Sequence, residues 1–191
     1  MSRPRAFDID TVAEQAMLVF WKSGYAGASM ADLYAATGLK PGSVYAAFGD
    51  KERLFQAAFQ AYAAHFRATL PTETIGLAAI EAWIDLQADL SSQDPERKGC
   101  LIVNTVSERQ AHTPETQAMA QARLDEIGAF FRIALDQAAS GGELSATTDL
   151  DLWADSLTGA VVSIMTLGRA GAKERTIRNV AKATLAALPR A

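Results

Sequence analysis

The sequence predicts an all-α protein. Alanine is abundant and β-branched runs are rare, which favours helix over strand. Glycine and proline cluster at a few punctuation points rather than throughout. Between those points, apolar residues recur every three or four positions, the period of a helix with one buried face. At 191 residues, 49% hydrophobic and 21% charged, the chain can bury a proper core.

Taken in order, Asp8–Ser23 reads as a first helix, with Val12, Ala16, Val19 and Phe20 on one stripe and Gly24 as its stop. Ser29–Thr37 reads as a second helix. Ser29 is a good N-cap, Asp32 stands in the capping-box position, and Gly38 follows where a left-handed residue is wanted. A short third helix runs over Pro41–Phe48, opened by a proline whose missing N–H costs nothing at a first helical position. Gly49-Asp50 breaks the chain, and Asp50 caps a longer helix over Lys51–Thr69 with Leu54, Phe55, Ala58, Phe59, Ala61, Tyr62 and Phe66 inward. His65 lies on the Leu54–Ala58–Ala61 stripe and is expected to be packed or to sit between domains. Pro71–Gly76 is a plausible boundary. Beyond it, helices are expected over Leu77–Leu90, Cys100–Gln110, Pro114–Ala139, Leu150–Gly168 and Lys173–Leu188.

Net charge is −4, and residues 1–55 are neutral, with six cations against six anions. Overall charge therefore gives nucleic-acid binding no support, and any such function must rest on local geometry. A single cysteine excludes an internal disulfide framework and suggests a reducing compartment. The stretch MSRPRAFDID has no apolar core of the signal-peptide kind, and runs such as Ala160–Met165 fall short of a membrane span. A cytoplasmic protein with no membrane partner is the expectation. No acid–base, nucleophile or metal set stands out, so neither an enzyme nor a cofactor is expected. Glu108 and His112 are four apart, but two residues do not make a metal site.

The informative segment is residues 29–48. Two short helices joined by a tight glycine turn would bury Leu33, Leu39, Val44 and Phe48 against the first helix. The third helix would then expose Lys40, Ser43, Tyr45, Ala46 and Ala47, a face of the right width for a DNA major groove. Hydroxyls, lysine and the N–H groups at a helix start can hold phosphates. Gly42 and the two alanines permit close approach to base edges, Lys51 can clamp a flanking phosphate, and Arg3 and Arg5 form a basic arm.

Residues Gly24-Tyr-Ala-Gly-Ala-Ser-Met-Ala-Asp-Leu, followed by Gly38-Leu-Lys-Pro-Gly-Ser-Val-Tyr-Ala-Ala-Phe-Gly-Asp-Lys-Glu-Arg-Leu-Phe55, resemble the N-terminal domain of the TetR family of regulators. The resemblance implies a homodimer with a three-helix DNA-binding head at residues 1–55. A shared linking helix would join it to a ligand-binding and dimerisation bundle at residues 56–191. It implies repression at a palindromic double-stranded DNA operator, released by a small-molecule effector. It also implies DNA contact at Ser29, Lys40, Ser43, Tyr45 and Lys51, with Pro41, Gly42, Ala46 and Ala47 on the same helix and Arg5 in the arm. Ala46 and Ala47 depart from the pattern, since the family often carries aromatic, histidine or other polar residues there. This favours methyl contacts or shape readout over hydrogen bonds to bases.

In the second half, Cys100 opens an apolar helix after Arg97 and Lys98, a setting that favours thiolate, with Asn104 and Glu108 on the same face. This Gly-Cys-Leu-x-Val-Asn segment resembles a TetR subgroup that includes the N-ethylmaleimide-responsive repressor, which implies electrophile or redox sensing at Cys100. The alternative is a buried small hydrophobe. Trp83 and Phe131, with Met119, Phe130, Trp153 and Met165, either line an apolar effector pocket or form ordinary core. By the resemblance, the last two helices pair across a four-helix dimer interface. A small helical enzyme or a protein-interaction module is the remote alternative.

Overall fold

Side-chain caps set where most of the helices begin. The computed structural model describes residues 7–191, so the arm with Arg3 and Arg5 lies outside the described residues. Among the described residues nine α-helices follow one another: α1 (Ile9–Gly27), α2 (Met30–Thr37), α3 (Pro41–Phe48), α4 (Lys51–Arg67), α5 (Gly76–Gln93), α6 (Leu101–Ser107), α7 (Pro114–Ser140), α8 (Leu150–Arg169) and α9 (Glu174–Ala186). Asp8, Asp50, Thr113 and Asp149 each accept a backbone N–H at the start of α1, α4, α7 and α8. Such caps contribute about 1 kcal/mol apiece. At α2 the Ser29 hydroxyl accepts from Asp32 N at 3.1 Å while Asp32 Oδ2 accepts from Ser29 N at 3.1 Å, which completes the capping box.

Two glycines shape the head. Gly38, at φ 64°, turns the chain from α2 toward α3. Gly24, at φ 72° and ψ 168°, kinks the end of α1, and a side chain there would also meet the Glu108 carboxylate at 2.5 Å. Both conformations disfavour any residue with a Cβ.

The α1 helix packs chiefly along α4 and also receives α2, while α3 rests on α4. In the body α5, α7 and α8 pack on one another, and α9 covers α5 and α8. Head and body share one core. Rings run from Phe20 to Phe55 (5.0 Å) and Phe59 (6.0 Å) in the head; farther along α4, Tyr62 stacks on Phe66 (6.3 Å), which meets Trp83 (5.7 Å) and through it Phe131 (5.4 Å) in the body. Burying each such ring contributes roughly 1.5–3 kcal/mol.

Several expectations change. The sixth helix ends at Ser107 and continues only as a 3-10 turn, Arg109–Ala111, so Glu108 and His112 do not share a helix face. His65 is exposed rather than packed and pairs with Glu14 at 2.7 Å. Val19, Leu39 and Ala61 are half-buried, because Met17, Leu33 and Ala63 take the central places. In the last two helices, Leu157, Val161, Ile164, Ile177 and Ala181 are already buried within this chain, so they are not free to form an interface. Leu152, read as part of the same apolar set, is 60% exposed on the outward face of α8. The run Ala160–Met165 sits in a 20-residue helix with an 18-residue stretch of mean hydropathy 1.2, long and apolar enough by length and composition alone to span a bilayer.

Candidate DNA-reading face and effector cleft

Burial of Val44 and Phe48 fixes the rotation of α3, and everything on its other side faces solvent. Lys40, Pro41, Gly42, Tyr45 and Ala46 are exposed, with Tyr45 at 51%, and Ser43 is half-exposed. Ala47 differs from expectation: it is half-buried and packs against the core, which removes it from the centre of the face. Nothing lies within 4 Å of the position a Gly42 side chain would take, so backbone is presented there. The Tyr34 phenol on α2 stands beside that of Tyr45. Desolvation first and then this neighbour raise its ionisation above the ordinary tyrosine value, which keeps it a neutral donor.

Two of the expected phosphate contacts are engaged within the protein. The Ser29 hydroxyl donates to Asp32 at 2.5 Å. Lys51 Nζ donates to Tyr25 O at 2.6 Å and lies 4.5 Å above the Tyr25 ring, an attraction between a cation and a π face. Lys51 thereby ties α4 to the kink that follows Gly24.

The head is pinned to the body beside that kink. Tyr25 N donates to Glu108 Oε2 at 2.9 Å, and Glu52 Oε1 accepts Thr113 N at 3.1 Å and lies 3.4 Å from His112 Nδ1. His112 is buried between the Tyr25 and Phe55 rings, 4.5 and 4.6 Å away. Burial raises the Glu52 carboxyl. The Tyr25 phenol, Thr116, Thr113 N–H and His112 lower it by more, so it ends below the ordinary value of 4.5. A carboxyl held low in the fold stabilises it above the unfolded pKa, and that contribution is lost as pH falls through the folded value. Thermal melts of the wild type should therefore fall as pH drops below 4.5 more steeply than melts of Glu52→Gln. Parallel curves would show that Glu52 does not contribute.

Cys100 lies one residue ahead of α6 and is 1% exposed. Contrary to the expected thiolate, burial pushes its thiol up, outweighing the Tyr62 phenol and the N–H groups of Val103 and Ile102. Neither preceding cation helps. Arg97 turns toward Gly171, and Lys98 pairs with Asp94 and Glu96 at 3.2 and 2.9 Å. N-ethylmaleimide should alkylate Cys100 in the folded protein slower than in denaturant by on the order of 100-fold, read by mass spectrometry. Equal rates would contradict this burial. Asn104 is also buried and donates to Lys98 O at 2.9 Å, while Glu108 is given to Tyr25, so the three residues do not converge on a shared site.

Trp83 and Phe131 are core: both are fully buried, and Trp83 Nε1 donates to Thr69 Oγ1 at 3.1 Å. Beside them opens a cleft of about 470 Å³ where head meets body. Met17 and Trp21 line it from α1, Tyr62, His65 and Phe66 from α4, Gln87, Leu90 and Ser91 from α5, and Met165 from α8. The loop residues Lys98 and Gly99 close one side. Trp21 Nε1 donates to Gly99 O at 2.8 Å, and Arg169 Nη1 bonds Lys98 O at 2.9 Å, which clasps α1, loop and α8 around the opening. Of these residues, the sequence offered only Met165 as a pocket residue. Gln87 carried a readable signal: a polar residue on the Ile80–Ile84–Ser91 stripe, now 1% exposed. Among the described residues no group of three or more His, Cys, Asp or Glu could hold a metal ion.

Comparison with known proteins places this geometry. The pattern of "Bacterial regulatory proteins, tetR family" matches residues 13–58, and that of "Tetracyclin repressor-like, C-terminal domain" matches residues 76–184. The HTH-type transcriptional repressor ComR of Escherichia coli (strain K12) is 29% identical over 199 residues, spanning 98% of this chain and 91% of that protein. The HTH-type transcriptional regulator YezE of Bacillus subtilis (strain 168), described as uncharacterized, is 30% identical over 169 residues, spanning 86% and 87%. Among solved structures, a cysteine mutant of the TetR family regulator CifR, complexed with 26-base-pair double-strand operator DNA, superposes with a TM-score of 0.83. It is 30% identical, covering 98% of this chain and all of that one.

Proposed function

Because this chain belongs to the TetR family of bacterial transcriptional regulators, a family of DNA-binding regulators and not enzymes, we propose that it is a repressor that grips a palindromic operator with two copies of α3. The observation that carries this reading is the face of α3 itself. Lys40, Tyr45 and Ala46 point to solvent, and the capping box, the Gly38 turn and buried Val44 and Phe48 hold them rigidly. Lys40, Ser43 and Tyr45 anchor phosphates, with Pro41, Gly42 and Ala46 nearest the base edges. Ser29 and Lys51 reach phosphate only by exchanging the internal partners described above. Residues 1–55 act as the head and the remainder as the body, with α4 belonging to both.

The second copy covers α8. Only 28% of its apolar stretch is buried within the chain, and Leu152 on α8 and Ile133 on α7 stand about 60% exposed. An apolar face of that kind calls for a partner. The effector enters the cleft between head and body. Met17 and Trp21 belong to the head, so an occupant that spreads the cleft acts directly on the angle of α1 and thus on the separation of the two reading helices. Release requires only that the occupant bind the spread form more tightly. Gel-shift titration against DNA upstream of its own gene tests the reading: binding should be specific and weaken steeply with salt. Equal binding to unrelated DNA would overturn it.

A further inference from the structure

Resting on the reading that the cleft is the effector site, we infer that its occupant is a neutral, flat aromatic molecule with a hydrogen-bond acceptor held by Gln87. Size comes first: about 470 Å³ falls within the range that encloses a small organic molecule. Shape and polarity follow from the wall. The rings of Trp21, Tyr62 and Phe66 and the thioethers of Met17 and Met165 suit a planar apolar body.

The charged groups at the wall are already paired. Lys98 holds Asp94 and Glu96, and Lys22 also holds Glu96. A charged ligand would have to break one of these pairs.

Most neutral polar groups of the wall are also engaged. Ser91 Oγ donates to Ile164 O at 2.8 Å, Thr69 Oγ1 donates to Phe66 O at 2.7 Å, and Trp21 Nε1 is held by Gly99 O. Gln87 is different. Its amide nitrogen is buried and has no partner in the protein, on the face of α5 that also carries Ile80 and Ile84. A buried donor without a partner is costly, and a ligand carbonyl that reaches it recovers that cost. A hydrocarbon of the same outline does not. The site therefore discriminates by the acceptor as well as by the ring.

Acetophenone and ethylbenzene share a ring and an outline and differ in the carbonyl. Calorimetric titration of the full-length protein should show acetophenone binding tighter by about tenfold, with Gln87→Leu abolishing the preference. Methyl NMR signals of Met17 and Met165 should shift with both probes, which locates them in the cleft. Equal wild-type affinity for the two probes, with both methionines shifting, would overturn the ligand class and leave the cleft standing. No shift at either methionine would overturn the cleft as the site, and the ligand class with it. The wild-type ratio decides even where Gln87→Leu fails to fold.

Discussion

Ala46→Glu should lower operator affinity on the order of 100-fold while leaving the melting temperature unchanged. Ala46 is exposed on α3, between exposed Tyr45 and half-buried Ala47, and makes no contribution to the core. The folded protein therefore has no reason to resist the change. The bound complex does, because a carboxylate at the centre of the reading face meets phosphates and base acceptors with no water to screen it. Like charge juxtaposed at an interface costs several kcal/mol, whereas Ala46→Ser adds only a small donor and should change affinity a few-fold at most. Gel-shift titration beside a thermal melt separates the two effects. Unchanged affinity in Ala46→Glu would mean that α3 does not enter the groove.

Gly168→Ala should destabilise the fold by about 2–3 kcal/mol, the usual cost of overpacking a tight contact. For a chain of this size that lowers the melting temperature by roughly 4–12 °C. Here α8 crosses α5 so closely that a methyl at residue 168 would overlap the Ser91 hydroxyl and come within 2.8 Å of the Ser91 carbonyl oxygen. The carbonyl is backbone and cannot rotate away. The opposing effect is the better helix propensity of alanine, worth about 1 kcal/mol, so the sign of the change is informative. A melting temperature that rises would show that the two helices separate easily. Because Ser91 also lines the cleft, the same substitution should weaken effector binding.

The head was legible in the sequence because its determinants are local. Ser29 and Asp32 are three residues apart, Gly38 follows the last turn of α2, Pro41 opens α3, and Asp50 caps α4. Each is a short-range rule, and together they fix which side of α3 faces outward. The cleft was not legible for the opposite reason. Its walls come from α1, α4, α5, α8 and one loop, brought together only by packing; beyond Met165, the local signal was Gln87, a long polar residue in line with Ile80 and Ile84. Cys100 shows how a local rule fails. A helix start and two preceding cations favour thiolate, yet the fold buries the sulfur and directs Arg97 and Lys98 elsewhere. His65 was read in part: it lines the cleft between head and body, but its place on an apolar stripe did not reveal that Glu14 of α1 would hold it at the surface. In α8 and α9 the apolar residues were recognised, but sequence could not divide them between the chain's own core and a partner.

Selection of bound sequences from a random double-stranded DNA pool, using the full-length protein, is the most direct test of paired reading by α3. Two copies related by a two-fold axis should enrich an inverted repeat whose half-sites lie about 34 Å apart, one helical turn or a multiple of it. Enrichment of a lone, asymmetric site, or of no sequence at all, would contradict it.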